Sequence, residues 1–144
     1  MSHILIVEAR FYTDLADMMA LGATEVLKNK GHTFDRIKVP GALEIPAAIS
    51  FAMESGKYDG FVALGCIIRG ETHHFEIVAN ESARGIMELT TRRHAAIGNG
   101  ILTVENRKQA VERADPAHAN KGAGAAQACL DLINIARQYG VSNR

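Results

Sequence analysis

Apolar and polar positions alternate in blocks along this chain. Ile4-Leu5-Ile6-Val7 is an unbroken apolar run, the pattern of a short strand buried on both faces. Leu15, Met18, Met19, Val26 and Leu27 then recur at helical spacing, with Thr13 or Asp14 as start and Gly31 as stop. Residues 34–39 predict a second strand. Pro40-Gly41 turns the chain, and a helix is expected over about 43–55. Pro46 is tolerated there because the first helical turn has no internal N–H partners to lose. A second apolar run carries the third strand, 61–68. Asn80 is read as the cap of a helix to residue 93, whose start can lie as early as His74. The fourth strand falls within 95–104. Asn106 and Gln109 have capping-box spacing and open a short helix to about residue 114. Asn120 opens a last, alanine-rich helix to residue 139.

This β-α-β-α-β-α-β-α-α order implies a three-layer α/β/α fold, a four-stranded parallel sheet with helices on both faces. Crossovers between parallel strands are right-handed, which restricts the topology. A flavodoxin-like strand order, 2-1-3-4, is expected. No linker, repeat or low-complexity segment divides the chain, and its 144 residues suit a single domain, 1–144, with one sizeable core.

Lys+Arg and Asp+Glu are both 16, so the formal net charge is zero. No basic field exists to gather nucleic acid or to hold an anionic membrane surface. Copies of the chain also feel no long-range repulsion from one another. The two cysteines, Cys66 and Cys129, make neither a disulfide framework nor a zinc set, and no metal site is expected. The start of the chain lacks the pattern of a signal peptide. No apolar stretch approaches the roughly 20 residues of a membrane span. A soluble, cytoplasmic protein is the expectation.

The third strand ends in Arg69-Gly70-Glu71-Thr72-His73-His74. In open α/β sheets, ligands sit beyond the carboxyl ends of strands. Adjacent histidines point in different directions and make a poor metal pair. One imidazole with an ordinary pKa of roughly 6.5 suits general acid–base work; a surface loop histidine is the plain alternative. Arg69 to Thr72 can hold a phosphate or carboxylate at a helix start, or form an ordinary glycine turn. Glu44 complements a helix dipole whether or not it binds a ligand. Phe11, in Arg10-Phe11-Tyr12, can stack on a planar ring or cover the edge of the core. Arg113 closes a short helix, where a cation is favoured anyway. Lys121 stands in a first helical turn, where the dipole disfavours it, a broken local rule that hints at an anion.

Taken together, Arg10-Phe11, Val39-Pro40-Gly41-Ala42-Leu43-Glu44-Ile45-Pro46, Gly65 to His74 with Asn80-Glu81, Gly98 to Asn106, Glu112-Arg113-Ala114 and Asn120-Lys121-Gly122 resemble the lumazine synthase family over nearly the whole chain. The resemblance implies a transferase of riboflavin biosynthesis that works without a cofactor. It condenses 5-amino-6-(D-ribitylamino)uracil with 3,4-dihydroxy-2-butanone 4-phosphate. The products are 6,7-dimethyl-8-ribityllumazine, phosphate and water.

By the same resemblance, Phe11 stacks on the pyrimidine. Ala42, Leu43 and Glu44 line the ribityl pocket, and Glu44 accepts hydrogen bonds from ribityl hydroxyls. Cys66, Ile67 and Ile68 meet the pyrimidine through their backbone. Glu71 and Thr72 offer amides and a hydroxyl to phosphate. His74 shuttles protons. Asn99, Arg113 and Lys121 come from a neighbouring subunit, Arg113 pairing the phosphate.

Three positions depart from common family residues: Leu43 where an aromatic is frequent, Asn99 where phenylalanine is frequent, and Cys66 in place of threonine. The family forms pentamers, and some members pack twelve of them into a shell. The short segment before the first strand and the sequence Asp115-Pro116-Ala117-His118-Ala119 favour a free homopentamer. Two alternatives stand beside the enzyme. One is a non-catalytic homologue that binds lumazine or flavin. The other, ranked last, is a flavodoxin-like signalling module, which needs clustered acids at strand ends where only Glu8 is seen.

Overall fold

The four expected strand segments become four parallel strands: β1 (His3–Ala9), β2 (Thr33–Val39), β3 (Gly60–Ile68) and β4 (Ile97–Val104). Their order is β2-β1-β3-β4, the flavodoxin-like order expected. The register sets Ile6 opposite Arg36 on one side and Val62 on the other, and Leu64 opposite Gly100. The computed structural model describes residues 1–143. Five helices complete it: α1 (Thr13–Asn29), α2 (Ile45–Glu54), α3 (His74–Arg93), α4 (Arg107–Ala114) and α5 (Lys121–Gln138).

Successive strand residues point to opposite faces, and each face has its own core. Ile4, Ile6, Val62 and Leu64 pack with Leu15 and Met19 of α1 and with Ala126 and Leu130 of α5. Leu5, Val7, Phe61 and Ala63 pack with Ile45 and Ile49 of α2 and with Val78 and Ile86 of α3. This is the physical reason that β1 and β3 read as unbroken apolar runs. Each fully buried side chain of this size contributes roughly 1.5–3 kcal/mol. On the α1/α5 side, a Cβ at Gly122 would lie 2.1 Å from the carbonyl oxygen of Met19, so α5 can cross α1 only with glycine there.

Several element ends differ from expectation. Asn80 does not cap α3. The Thr72 hydroxyl accepts the His74 N–H at 3.3 Å, and the helix starts six residues before Asn80. The segment expected to be helical from residue 43 opens instead as a 3-10 turn, Ala42–Glu44, and α2 follows with Pro46 in its first positions. Asn106 caps α4 through Gln109 N–H at 2.9 Å, but the Gln109 side chain returns to Glu105 N–H at 2.8 Å rather than to Asn106. Asn120 precedes α5 in a left-handed conformation and makes no side-chain cap. A Cβ at Gly22 of α1 would fall 2.1 Å from its Oδ1, so that side chain packs closely on Gly22 instead. Among the described residues, no helix is long and apolar enough to cross a membrane.

Candidate active site

Parallel strands end on a common edge, and the strand order reverses between β1 and β3: from β1 the chain crosses to β2 on one side, and from β3 it crosses to β4 on the other. That reversal opens a crevice. A cavity of about 350 Å³ occupies it. β1 and the loop after it bring Ala9, Phe11 and Tyr12. The 3-10 turn brings Ala42, Leu43 and Glu44 with Gly41 before them. β3 brings Cys66, Ile67 and Ile68. α3 brings His74 and Val78.

Phe11 is 78 % exposed, so it is not covering a core edge. Its ring meets Tyr12 edge-on, with centroids 4.9 Å apart. Glu44 sits just before α2 yet makes no capping hydrogen bond, which leaves its carboxylate to the cavity. Of the two histidines, His74 lines the cavity, whereas His73 lies at the N-cap of α3 and does not. Burial pushes the Cys66 thiol up to about 11, partly offset by the Arg107 charge. Burial thus disfavours the thiolate, the form that acts as a nucleophile.

A second hollow, about 470 Å³, lies beside the edge strand β4. Asn99, Arg113 and Lys121 line it, together with residues 100–103 and Gly124, Ala125 and Ala128 of α5. Asn99 Oδ1 accepts the Ile101 N–H at 2.9 Å. An Arg113 guanidinium N–H donates to the Gln109 carbonyl at 3.1 Å. Lys121 is the first residue of α5 and is exposed. The candidate residues therefore fall into two groups on one chain. Glu71 and Thr72 line neither hollow; they are exposed on the loop before His74, where the Thr72 hydroxyl supports the helix start.

Two charged clusters brace the strand ends. Glu8 does not follow β1. It lies within β1, 2 % exposed. It accepts from Arg36 at 2.6 and 3.0 Å and from Arg10 at 2.6 Å. Arg10 also binds Asp17. These bonds, Asp17 first for Arg10 and Glu8 for Arg36, raise both guanidinium pKa values. Beyond β3, Arg69 binds Glu76 and lies 2.8 Å from Glu105. The Arg69 bond is the main reason that Glu76 lies below the usual carboxylate range.

Sequence reading missed Ala9, Tyr12, Gly41 and Val78 as cavity walls. Each had a signal: Tyr12 adjoins Phe11, Gly41 adjoins Ala42, and Val78 is one helical turn beyond His74. Among the described residues, no group of three or more His, Cys, Asp or Glu side chains is arranged to hold a metal.

Residues 1–137 match the family described as 6,7-dimethyl-8-ribityllumazine synthase. A protein of that name from Bartonella henselae is 57 % identical over 140 residues, covering 96 % of this chain and 90 % of its own length. One from Sphingopyxis alaskensis is 55 % identical over 141 residues, covering 98 % and 99 %. One from Zymomonas mobilis subsp. mobilis is 57 % identical over 138 residues, covering 96 % and 99 %.

Proposed function

The chain belongs to the 6,7-dimethyl-8-ribityllumazine synthase family, and we propose that each of its active sites is completed between two neighbouring copies. The enzyme is a transferase that condenses 5-amino-6-(D-ribitylamino)uracil with 3,4-dihydroxy-2-butanone 4-phosphate. It yields 6,7-dimethyl-8-ribityllumazine, phosphate and water.

The reaction forms an imine, expels phosphate and closes a ring, so protons move at several steps. His74 carries them, as an imidazole at the cavity wall has one nitrogen to take a proton and another to give one. Phe11 stacks on the pyrimidine, whose edge meets the backbone of Cys66, Ile67 and Ile68. Glu44 accepts from ribityl hydroxyls, with Ala42 and Leu43 alongside. Phosphate needs a cation and convergent N–H donors. Arg113 and Lys121 of the neighbouring copy supply charge, with Asn99 beside them. Glu71 and Thr72 supply amides and a hydroxyl from the loop ahead of α3. Holding both reactants together contributes up to roughly 7–11 kcal/mol in well-oriented cases.

The observation that carries this reading is the partition of the candidate residues. His74 lines one cavity and Arg113 the other. A ring of copies, each offering its β4 hollow to the next copy's cavity, unites them. A single cytoplasmic domain assembled as a free homopentamer fits that arrangement. The test is direct: purified protein is given both substrates, and lumazine absorbance and released phosphate are followed together. Stoichiometric appearance of both supports the reading, and absence of lumazine overturns it.

A further inference from the structure

Arg69 is the first residue beyond β3, and its backbone N–H donates to the Val104 carbonyl at 2.9 Å, extending the β3–β4 ladder by one rung. Its guanidinium lies 4.4 Å from the centroid of the Phe75 ring, a cation–π distance. From that seat it binds Glu76 through one terminal nitrogen and Glu105 through Nε at 2.8 Å. Phe75 and Glu76 are the two residues that follow His74 in the first turn of α3. Glu105 follows β4, and its own N–H is tied to the Gln109 side chain of α4. One planar group thus joins the end of β3, the start of α3 and the β4–α4 junction. Glu76 Oε2 is buried without a hydrogen-bond partner, and Arg69 is the leading partner of this carboxylate, ahead of the Glu76 backbone N–H. Arg69 itself does not line the cavity.

We propose that Arg69 is a positioning residue, whose fork between Glu76 and Glu105 and stack on Phe75 fix the first turn of α3 and with it the place of His74. The pairs are partly exposed, Arg69 by 41 % and Glu105 by 59 %, so they add little to folding. Their effect lies in geometry, because a displacement of the order of 1 Å at a reacting group can cost about 100-fold in rate. Lysine cannot replace this arginine: it keeps the charge but has neither the planar fork nor the flat face.

The inference rests on the reading of His74 as the proton-transfer group, and its test keeps the two apart. Arg69→Met, Arg69→Lys and Glu105→Gln are compared with the native oligomer in steady-state kinetics, and the His74 ring is observed by NMR after isotopic labelling of histidine. Arg69→Met is expected to lose about 10- to 100-fold in kcat, with little change in KM for either substrate and a native melting curve. Arg69→Lys stays impaired. Glu105→Gln, which leaves the Glu76 bond in place, shows a smaller loss of the same kind and serves if Arg69→Met does not fold. In both arginine variants the His74 resonance broadens or splits. Unchanged kcat, full rescue by lysine, losses carried by KM, or an unchanged His74 resonance would each overturn the positioning role. Inactive native protein would instead count against the role of His74, while the resonance would still report on Arg69.

Discussion

His74 and Arg113 line different cavities of the same chain. His74 opens α3 at the crevice between β1 and β3, whereas Arg113 lies near the end of α4, beside the edge strand β4. A centre that needs both an imidazole and a guanidinium is therefore not built within either hollow alone. In the proposed assembly, a second copy supplies the missing half.

Replacing His74 by alanine tests its chemistry. The side chain is exposed and outside both cores. Turnover should fall by roughly 10²- to 10⁴-fold, the usual worth of a general acid–base, while the melting temperature stays close to native. Lumazine absorbance and a thermal scan read the two effects separately. A variant with native turnover contradicts the assignment.

Cys66 should be sluggish despite lining the cavity. Its thiol is shifted from 9.0 to about 11, chiefly by burial. Two units leave about 100-fold less thiolate at pH 7–8, so alkylation by iodoacetamide should slow by about that factor relative to an ordinary cysteine. Mass spectrometry of the Cys66 peptide gives the rate. Cys66→Ala should keep most of the turnover, because the proposed contact is through the backbone.

Glu8 is the buried centre of an ion cluster with Arg10, Arg36 and, through Arg10, Asp17. Glu8→Gln keeps its volume but removes the charge that Arg10 and Arg36 share. Hydrogen bonds to charged groups are worth roughly 1.5–3 kcal/mol, and the partial exposure of Arg36 reduces that, so a loss of about 2 kcal/mol is expected. A lower urea midpoint with an unchanged slope is the signature; no shift would mean that the cluster is stabilised elsewhere.

Asp35 gives the fold an acid-side dependence. It accepts from Tyr58 at 2.7 Å and lies 3.2 Å from His3. The Tyr58 bond is the main cause of its depressed pKa, with His3 adding to it. A carboxylate lowered in the folded state stabilises it fully above its ordinary value of 3.8 and ceases to do so as pH falls through the folded value. Asp35→Asn should therefore lower stability above about pH 4 and converge with the native protein at lower pH. A constant difference between the two stability curves across this range would contradict it.

Most of the architecture could be read along the chain because burial on two faces leaves unbroken apolar runs, which made β1 and β3 unmistakable. Helix ends were less legible. Asn80 has the right chemistry for a cap, but the Thr72 hydroxyl begins α3 earlier in what reads as a loop. The cationic seat of Glu8 was hidden because Arg36 is 28 residues away along the chain and adjacent only once β1 and β2 pair. The Arg69 clamp is hidden for the same reason, since Glu105 approaches it only through the β3–β4 ladder. The lining of the first cavity followed family-like blocks of sequence. Its division from the β4 hollow is a property of three dimensions that no spacing of residues reveals.

Mixed assembly tests the shared site most directly. His74→Ala chains and Arg113→Ala chains, each with little activity alone, are unfolded, combined in equal amounts and reassembled, and mass spectrometry verifies the mixed oligomers. If each site takes its imidazole from one copy and its guanidinium from the next, about one quarter of the interfaces in a random mixture are intact, and about that share of native activity returns. Verified mixed oligomers that remain as inactive as their parents would contradict a site built between copies.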